Sequence, residues 1–172
     1  MERLVIDLNS PEGKAQVKGV LRHATGYIPG EPNEGLISQI EGSPARLLDY
    51  DDSGWEICKN IKDKVSIGFT FAWWRITVTL PEELEGMKLA GSNCVFETNV
   101  DNYGEIFVDG EIDLVAGTVV GFNAQQRVVV NPSVVPGTKH VIAVLAANGP
   151  FGVPRGGIFL RYATLAFETR GG

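Results

Sequence analysis

Apolar and polar positions alternate with a period of two along much of this chain. The run Arg75–Leu80 is the cleanest case, and Pro81 closes it. Val95–Val100 alternates less regularly. Glu105–Val108 and Glu111–Leu114 flank Asp109-Gly110. An Asp-Gly pair between two apolar-rich runs predicts a type I′ hairpin, because both central residues must take positive φ. Further strands are predicted over Gln126–Val130, which ends at Asn131-Pro132, and over His140–Leu145, which follows the Pro136-Gly137 turn. The last run, Gly157–Phe167, is long enough for one bent strand. Helical evidence is thin: one turn is predicted over Glu82–Met87, and nothing holds a 3.6-residue period for three turns. Strands recurring every eight to twelve residues between Gly, Pro and Asn predict an all-β, two-sheet antiparallel sandwich with few or no helices.

The segment 26–42 carries four glycines and two prolines and is the most loop-like stretch. It is expected to be a surface excursion within a single domain spanning 1–172. Twenty-one glycines and nine prolines among 172 residues exceed average usage, which fits a turn-rich chain; 44% hydrophobic residues suffice for a core.

The formal net charge is −6, with no basic run. Such a chain is a poor match for phosphate backbones, so nucleic acid is not an expected partner. No stretch approaches the roughly 20 apolar residues of a membrane span. Acidic residues stand at the N-terminus where a signal peptide needs a basic region, so a cytoplasmic protein is expected. Cys58 and Cys94 are too few for a disulfide framework and are read as two reduced core thiols, with a single bridge as the alternative. His23 and His140 are read as structural or surface residues, since no orienting carboxylate is evident in sequence for either.

The order of motifs is more specific than any one of them. Asp51-Asp52-Ser53-Gly54-Trp55 is followed by Trp73-Trp74-Arg75 with Thr77, Thr79 and Pro81. Then come Val100-Asp101, Tyr103, Glu105-Ile106 and Val108-Asp109-Gly110, then Gly121-Phe122-Asn123 with Arg127, Pro136-Gly137, and Asn148-Gly149-Pro150. This series resembles the galactose-binding-like jelly roll, as in the sugar-binding domain of family-two glycoside hydrolases. It resembles most the jelly-roll module fused to gluconolactonase/regucalcin-like propellers. The resemblance covers roughly residues 10–168. Trp74 departs from a usual Tyr, Gln126 from an Asn, and Phe107 from a Trp. The lactonase activity of the fused proteins belongs to the propeller and does not transfer.

Residue by residue, Asp51, Asp52 and Ser53 form turns through side-chain hydrogen bonds to backbone, with Trp55 as an aromatic plug. The alternative is that Asp51 and Asp52 supply oxygens to Ca²⁺, which the resembling domains often carry; calcium needs six to eight oxygens, and no D-x-D-x-D loop is present. The resemblance implies a structural ion pair between Arg75 and Asp101. Trp73 and Trp74 are adjacent in a strand and so point to opposite faces, one into the core and the other outward or under a loop. The expected ligand-binding set is Trp73, Trp74, Asp101, Tyr103, Asn123, Arg127, Asn148 and Arg155: aromatic rings for a sugar's C–H face and polar groups, many on loops, for its hydroxyls. Adjacent carboxylates such as Asp51/Asp52 and Glu82/Glu83 do not establish the facing pair that glycoside hydrolysis needs, so no catalytic residue is assigned.

The functional expectation is a non-catalytic module that binds a carbohydrate or other hydroxylated small molecule, or docks onto a separate catalytic protein. Two alternatives stand beside it. One is a small-molecule enzyme of lactonase, isomerase or cyclase type with a pocket on the jelly roll. The other is a structural subunit that self-associates as a homo-oligomer.

Overall fold

A computed structural model describes residues 2–31, 42–68, 70–101, 103–120, 124–148 and 157–169, with the side chains of Asp101, Val119 and Val120 left aside. Fourteen strands are present among these residues. They are β1 (Glu2–Asp7), β2 (Val20–Thr25), β3 (Glu56–Ile57), β4 (Ser66–Ile67), β5 (Phe71–Thr79), β6 (Glu83–Leu84), β7 (Met87–Lys88), β8 (Asn93–Asp101), β9 (Tyr103–Val108), β10 (Glu111–Ile112), β11 (Thr118–Val120), β12 (Ala124–Asn131), β13 (Lys139–Ala147) and β14 (Gly157–Thr169). One short helix, α1 (Pro11–Gln16), and two single 3₁₀ turns complete the regular structure. The fold is the all-β antiparallel sandwich that the alternation predicts.

The larger sheet runs β10-β9-β13-β5-β2-β3, with β11 on β9; the smaller runs β1-β14-β8-β12, with β4 on β14. Period-two alternation sets which residues fill the space between them. Trp74, Ile76 and Val78 of β5 and Ile142 and Val144 of β13 meet Phe96 of β8 and Leu165 and Phe167 of β14 in one buried cluster. Cys58 and Cys94 are both buried free thiols, and burial pushes the Cys94 thiol up to about 12.

The local signals translate with few exceptions. Asp109 and Gly110 take φ of 51° and 88°, as the type I′ turn requires. The long last strand bends where its register on β8 shifts, between Leu160 and Ala163. The turn predicted over Glu82–Met87 is not helical. Its residues form the β6–β7 hairpin, with Glu85 and Gly86 at φ of 53° and 82°. The one α-helix lies outside the strand pattern: Ser10 caps it by accepting from the Gly13 N–H, and Pro11 occupies its first turn. Most of the 26–42 excursion lies outside the described residues.

A second, smaller buried cluster lies on the outer face of the larger sheet. Trp73, Phe107, Ala143 and Leu145 pack there against Ala45, with Tyr27, Tyr50, Trp55 and Phe71 around them. The segment 43–55 runs over this face and is the feature that positions the candidate site.

Candidate ligand-binding cleft

Arg75 anchors that segment. It is 2% exposed on the outer face of β5. Its Nε donates to Asp52 Oδ2 at 2.9 Å, its Nη1 to the carbonyls of Ala45 (2.7 Å) and Leu47 (2.9 Å), and its Nη2 to the carbonyl of Tyr50 at 3.4 Å. The guanidinium carbon also sits 5.4 Å from the centre of the Tyr50 ring. Among the described side chains, the carboxylate partner of Arg75 is Asp52. Asp101 ends β8 in the opposite sheet, across from Phe159, and its side chain lies outside the described residues. Arg22 stands directly opposite Arg75 across β2 and β5, and its Nε lies 3.5 Å from Asp52 Oδ1. Two like charges facing each other across strands repel. Asp52 offsets this by bridging both.

Asp52 is thus committed to two arginines, which is the wrong environment for a calcium ligand. Asp51 Oδ1 accepts from the Ser53 N–H at 2.9 Å, the turn geometry predicted from sequence. Hydrogen bonds from Ser53, side chain and backbone, hold the Asp51 carboxyl below the usual carboxylate range. Among the described residues, no group of three or more His, Cys, Asp and Glu side chains is placed to hold a metal ion.

Beyond this turn opens a cleft of about 540 Å³ lined by His23, Ala24 and Thr25 from β2, by Pro29 and Gly30, and by Tyr50, Asp51, Gly54, Trp55 and Glu56. Trp55 is half-buried. Its ring meets Tyr50 edge-on at 5.6 Å, which fixes both orientations. Arg22 Nη1 donates to the Trp55 carbonyl at 3.2 Å and so ties the turn to the sheet. Glu56 pairs with Lys64 at 2.5 Å, and that hydrogen-bonded ammonium holds its carboxyl below the usual range. His23 is 7% exposed; its Nε2 has no hydrogen-bond partner among the described residues, and its ring turns to the inter-sheet face, 5.0 Å from that of Trp74. Burial, with the nearby Lys64, pushes its imidazole below the ordinary value, favouring the neutral ring.

The residues expected to bind ligand fall elsewhere. Trp74 is in the core between the sheets and Trp73 lies under the 43–55 segment, the two opposite faces that adjacency predicts. At 0% and 1% exposure neither indole has a free face for stacking. Trp73 Nε1 donates instead to the Tyr27 carbonyl at 3.0 Å. Tyr103 donates its hydroxyl to Glu105 at 2.6 Å, and burial with Glu105 beside it pushes its phenol up to about 12. Asn148 is 5% exposed and donates to the Gly68 carbonyl at 2.8 Å. Both lie at the end of the larger sheet that carries Thr25, but they do not line the cleft.

Arg127 is on the far side of the molecule, in a closed set of ion pairs. It pairs with Glu97 at 2.9 Å and with Glu168, while Arg3 pairs with the same two carboxylates at 2.5 and 3.9 Å. Beneath them runs a cross-strand row of Val5, Ala166, Val95 and Val129. Val95 in that row is 3% exposed. Asn123 and Arg155 lie outside the described residues.

The sequence also shows no carboxylate for His140, yet the fold supplies one. Its Nδ1 lies 2.7 Å from Asp109 Oδ2 and its Nε2 3.3 Å from Asn131 Nδ2, joining the β9–β10 turn to the smaller sheet. His23, Tyr50 and Glu56 were missed as lining residues because three separate segments supply the cleft wall. Asp51 and Trp55, both in the Asp51–Trp55 motif, are the lining residues that the sequence singles out.

No protein-family model matches the chain, and no curated protein matches it in sequence. Solved structures do match in fold. A Bacteroides uniformis β-glucuronidase superposes with a TM-score of 0.64 at 15% identity, over 96% of this chain and 18% of that one. A β-glucuronidase from glycoside hydrolase family 2 gives 0.59 at 17% identity over the same shares. A family 2 glycosyl hydrolase from Bacteroides cellulosilyticus gives 0.57 at 15% identity, over 88% of this chain and 20% of that one. The fold of this chain is thus shared with one part of each of these glycosidases. The chain spans about a fifth of the length of these glycosidases.

Proposed function

We propose that the protein is a binding module for a polyhydroxylated, carbohydrate-type ligand held in the cleft at Trp55. The observation that carries this is the company Trp55 keeps. A half-buried indole, braced by Tyr50, lines a cleft of about 540 Å³ whose other lining residues include Thr25, Asp51 and Glu56. A pyranose has an apolar C–H face that an indole ring covers and hydroxyls that carboxylates accept from. Ligand sites of this size commonly combine aromatic walls with a few fixed polar groups. The similarity to a glycosidase domain supports the class of ligand by analogy of fold.

Intrinsic fluorescence tests this directly. Of the three tryptophans, Trp73 and Trp74 are buried, so a ligand in the cleft reports through Trp55. Titration with a panel of mono- and disaccharides should shift the emission, and Trp55→Ala should abolish both the shift and the calorimetric heat. A panel that gives neither signal with the native protein counts against the proposal.

A second reading is favoured by the matched lengths. In the glycosidases this fold is one part of a chain about five times longer. Service as an accessory module to a catalytic polypeptide, with or without its own ligand, accounts for that. Co-purification of a glycosidase that separates from the protein only in denaturant would support it; a protein that stays monomeric alongside its co-expressed glycosidase would oppose it.

A further inference from the structure

Successive residues of an antiparallel strand turn their main-chain N–H and C=O groups to alternate sides. Counting back from Gly26, whose N–H donates to the Phe71 carbonyl at 2.9 Å, the even-numbered positions of β2 face β5. The odd-numbered positions face the other way, toward β3. There the Leu21 carbonyl accepts from the Cys58 N–H at 2.8 Å, and His23 stands opposite Glu56. Thr25 is the next position of this set. Carried on by one pair, the β2–β3 register would set Gly54 against Thr25, but β3 begins at Glu56. The chain before it is drawn over the outer face instead: Arg22 and Arg75 hold Asp52, and Arg22 also reaches the Ser53 and Trp55 carbonyls. The two segments splay apart at that point, and Thr25, Gly54 and Trp55 all line the cleft that opens between them. Thr25 is exposed there, with its N–H and C=O turned away from β5.

Resting on the carbohydrate reading above, we infer that the main chain of Thr25 belongs to the binding site and takes a pair of neighbouring hydroxyls from the ligand. One hydroxyl accepts from the Thr25 N–H and the other donates to the Thr25 C=O, while the Trp55 ring covers the adjoining C–H face. A hydroxyl serves as donor or acceptor equally well, so a vicinal diol answers an N–H and a C=O presented side by side. An extended peptide would use this edge poorly. β2 ends at Thr25, so an added strand gains main-chain bonds at a single residue, whereas one diol engages both groups. A sugar lacking either hydroxyl leaves one Thr25 group without its bond.

Proline substitution along β2 tests this, with D-glucose, D-galactose and D-mannose as ligands and binding followed by Trp55 emission and by calorimetry. Proline removes the N–H and is tolerated in a strand only where that N–H has no ladder partner. Thr25→Pro should therefore melt close to the native protein, whereas Ala24→Pro, whose N–H faces β5, should melt well below it. Thr25→Pro should weaken the sugar that the native protein binds by roughly two- to tenfold, the effect of one lost hydrogen bond. Thr25→Val keeps the N–H and should bind as the native protein does. Among the monodeoxy analogues of that sugar, the two weakened most should lack adjacent hydroxyls. A Thr25→Pro variant that unfolds, or that folds and binds as tightly as native, overturns the main-chain role alone. So does equal weakening by Thr25→Val, or a sugar whose two critical hydroxyls are not neighbours. No response of the native protein to any of the three sugars overturns the binding reading itself, and this role with it.

Discussion

Arg75 and Asp52 are 23 residues apart in the chain, and the guanidinium Nε lies 2.9 Å from the carboxylate. This one contact converts an otherwise extended segment into the cap of the larger sheet. The same guanidinium holds the carbonyls of Ala45, Leu47 and Tyr50. The turn that presents Trp55 therefore hangs from a side chain on β5.

Removing the guanidinium should cost more than removing a surface charge. Arg75→Ala leaves Asp52 short of one partner and takes the guanidinium donors from three carbonyls beneath the cap, of which only that of Leu47 also accepts from a backbone N–H, Tyr50, among the described residues. Breaking a buried pair from one side typically costs about 3–5 kcal/mol. Denaturant unfolding should show a loss of that order, and amide exchange should rise across 43–55. Arg75→Lys should recover only part of the stability, because one ammonium cannot reach a carboxylate and three carbonyls in a planar fork. Full stability in Arg75→Lys would show that the fork geometry is not what holds the cap.

The neighbouring aspartates should behave differently despite being adjacent. Asp52→Asn removes the anion that separates Arg22 from Arg75 and should destabilise the fold by about 1–3 kcal/mol, the range for a hydrogen bond to a charged group. Asp51→Asn should leave the midpoint of unfolding almost unchanged. Equal losses in the two variants would refute the assignment of Asp52 to structure and Asp51 to the cleft mouth.

At the far end of the larger sheet, Asp109 has two tasks. It takes the left-handed φ of the turn, and its carboxylate accepts from the Val141 N–H at 2.8 Å while contacting His140. Asp109→Asn keeps both the φ preference and an acceptor and should be mild. Asp109→Ala loses the side-chain bonds and should cost about 1–3 kcal/mol, at 0.5–1.5 kcal/mol for each. Thermal melts of the two variants compare them directly.

Glycine at position 13 answers to packing, not to helix propensity. A Cβ there would lie 1.9 Å from the Asp7 carbonyl oxygen, against backbone that cannot move aside. Gly→Ala inside a helix normally gains up to about 1 kcal/mol. Here Gly13→Ala should have the opposite sign and displace α1 from β1, read as a lowered melting temperature and lost protection at Asp7 and Leu8.

The pH dependence of stability carries a signature of His23. Burial lowers the pKa of its folded-state imidazole below the ordinary value of 6.5. The unfolded chain therefore binds the proton more readily. Stability is full above pH 6.5 and declines as pH falls toward the lower folded pKa. His23→Gln should flatten this part of the acid limb relative to the native protein; an unchanged slope would show that the ring is not held neutral.

The strand pattern was largely legible in the sequence because it depends on neighbours a few residues apart. The alternation in β5, the Asp109-Gly110 turn and the bend in β14 are all written locally. Even the separation of Trp73 from Trp74 follows from adjacency in a strand. The misreading at Glu82–Met87 has the same local origin. Six residues ending near a glycine suit a helical turn as well as a tight hairpin, and pairing of Glu83 with Lys88 decided for the hairpin.

The cleft was not legible in this way. His23, Tyr50 and Glu56 become neighbours only when β2 pairs with β3 and Arg75 draws in the segment before it. The aromatic pair Trp73–Trp74 looked available for a ligand because composition marks a residue as aromatic without saying what covers it. Sequence by itself determined the two-sheet architecture and the faces of its strands, since side-chain period and turn chemistry are properties of short stretches. Only the tertiary structure decided which carboxylate meets Arg75, which aromatic remains partly open, and which charges are already paired. Those depend on contacts between segments more than twenty residues apart, which no local pattern encodes.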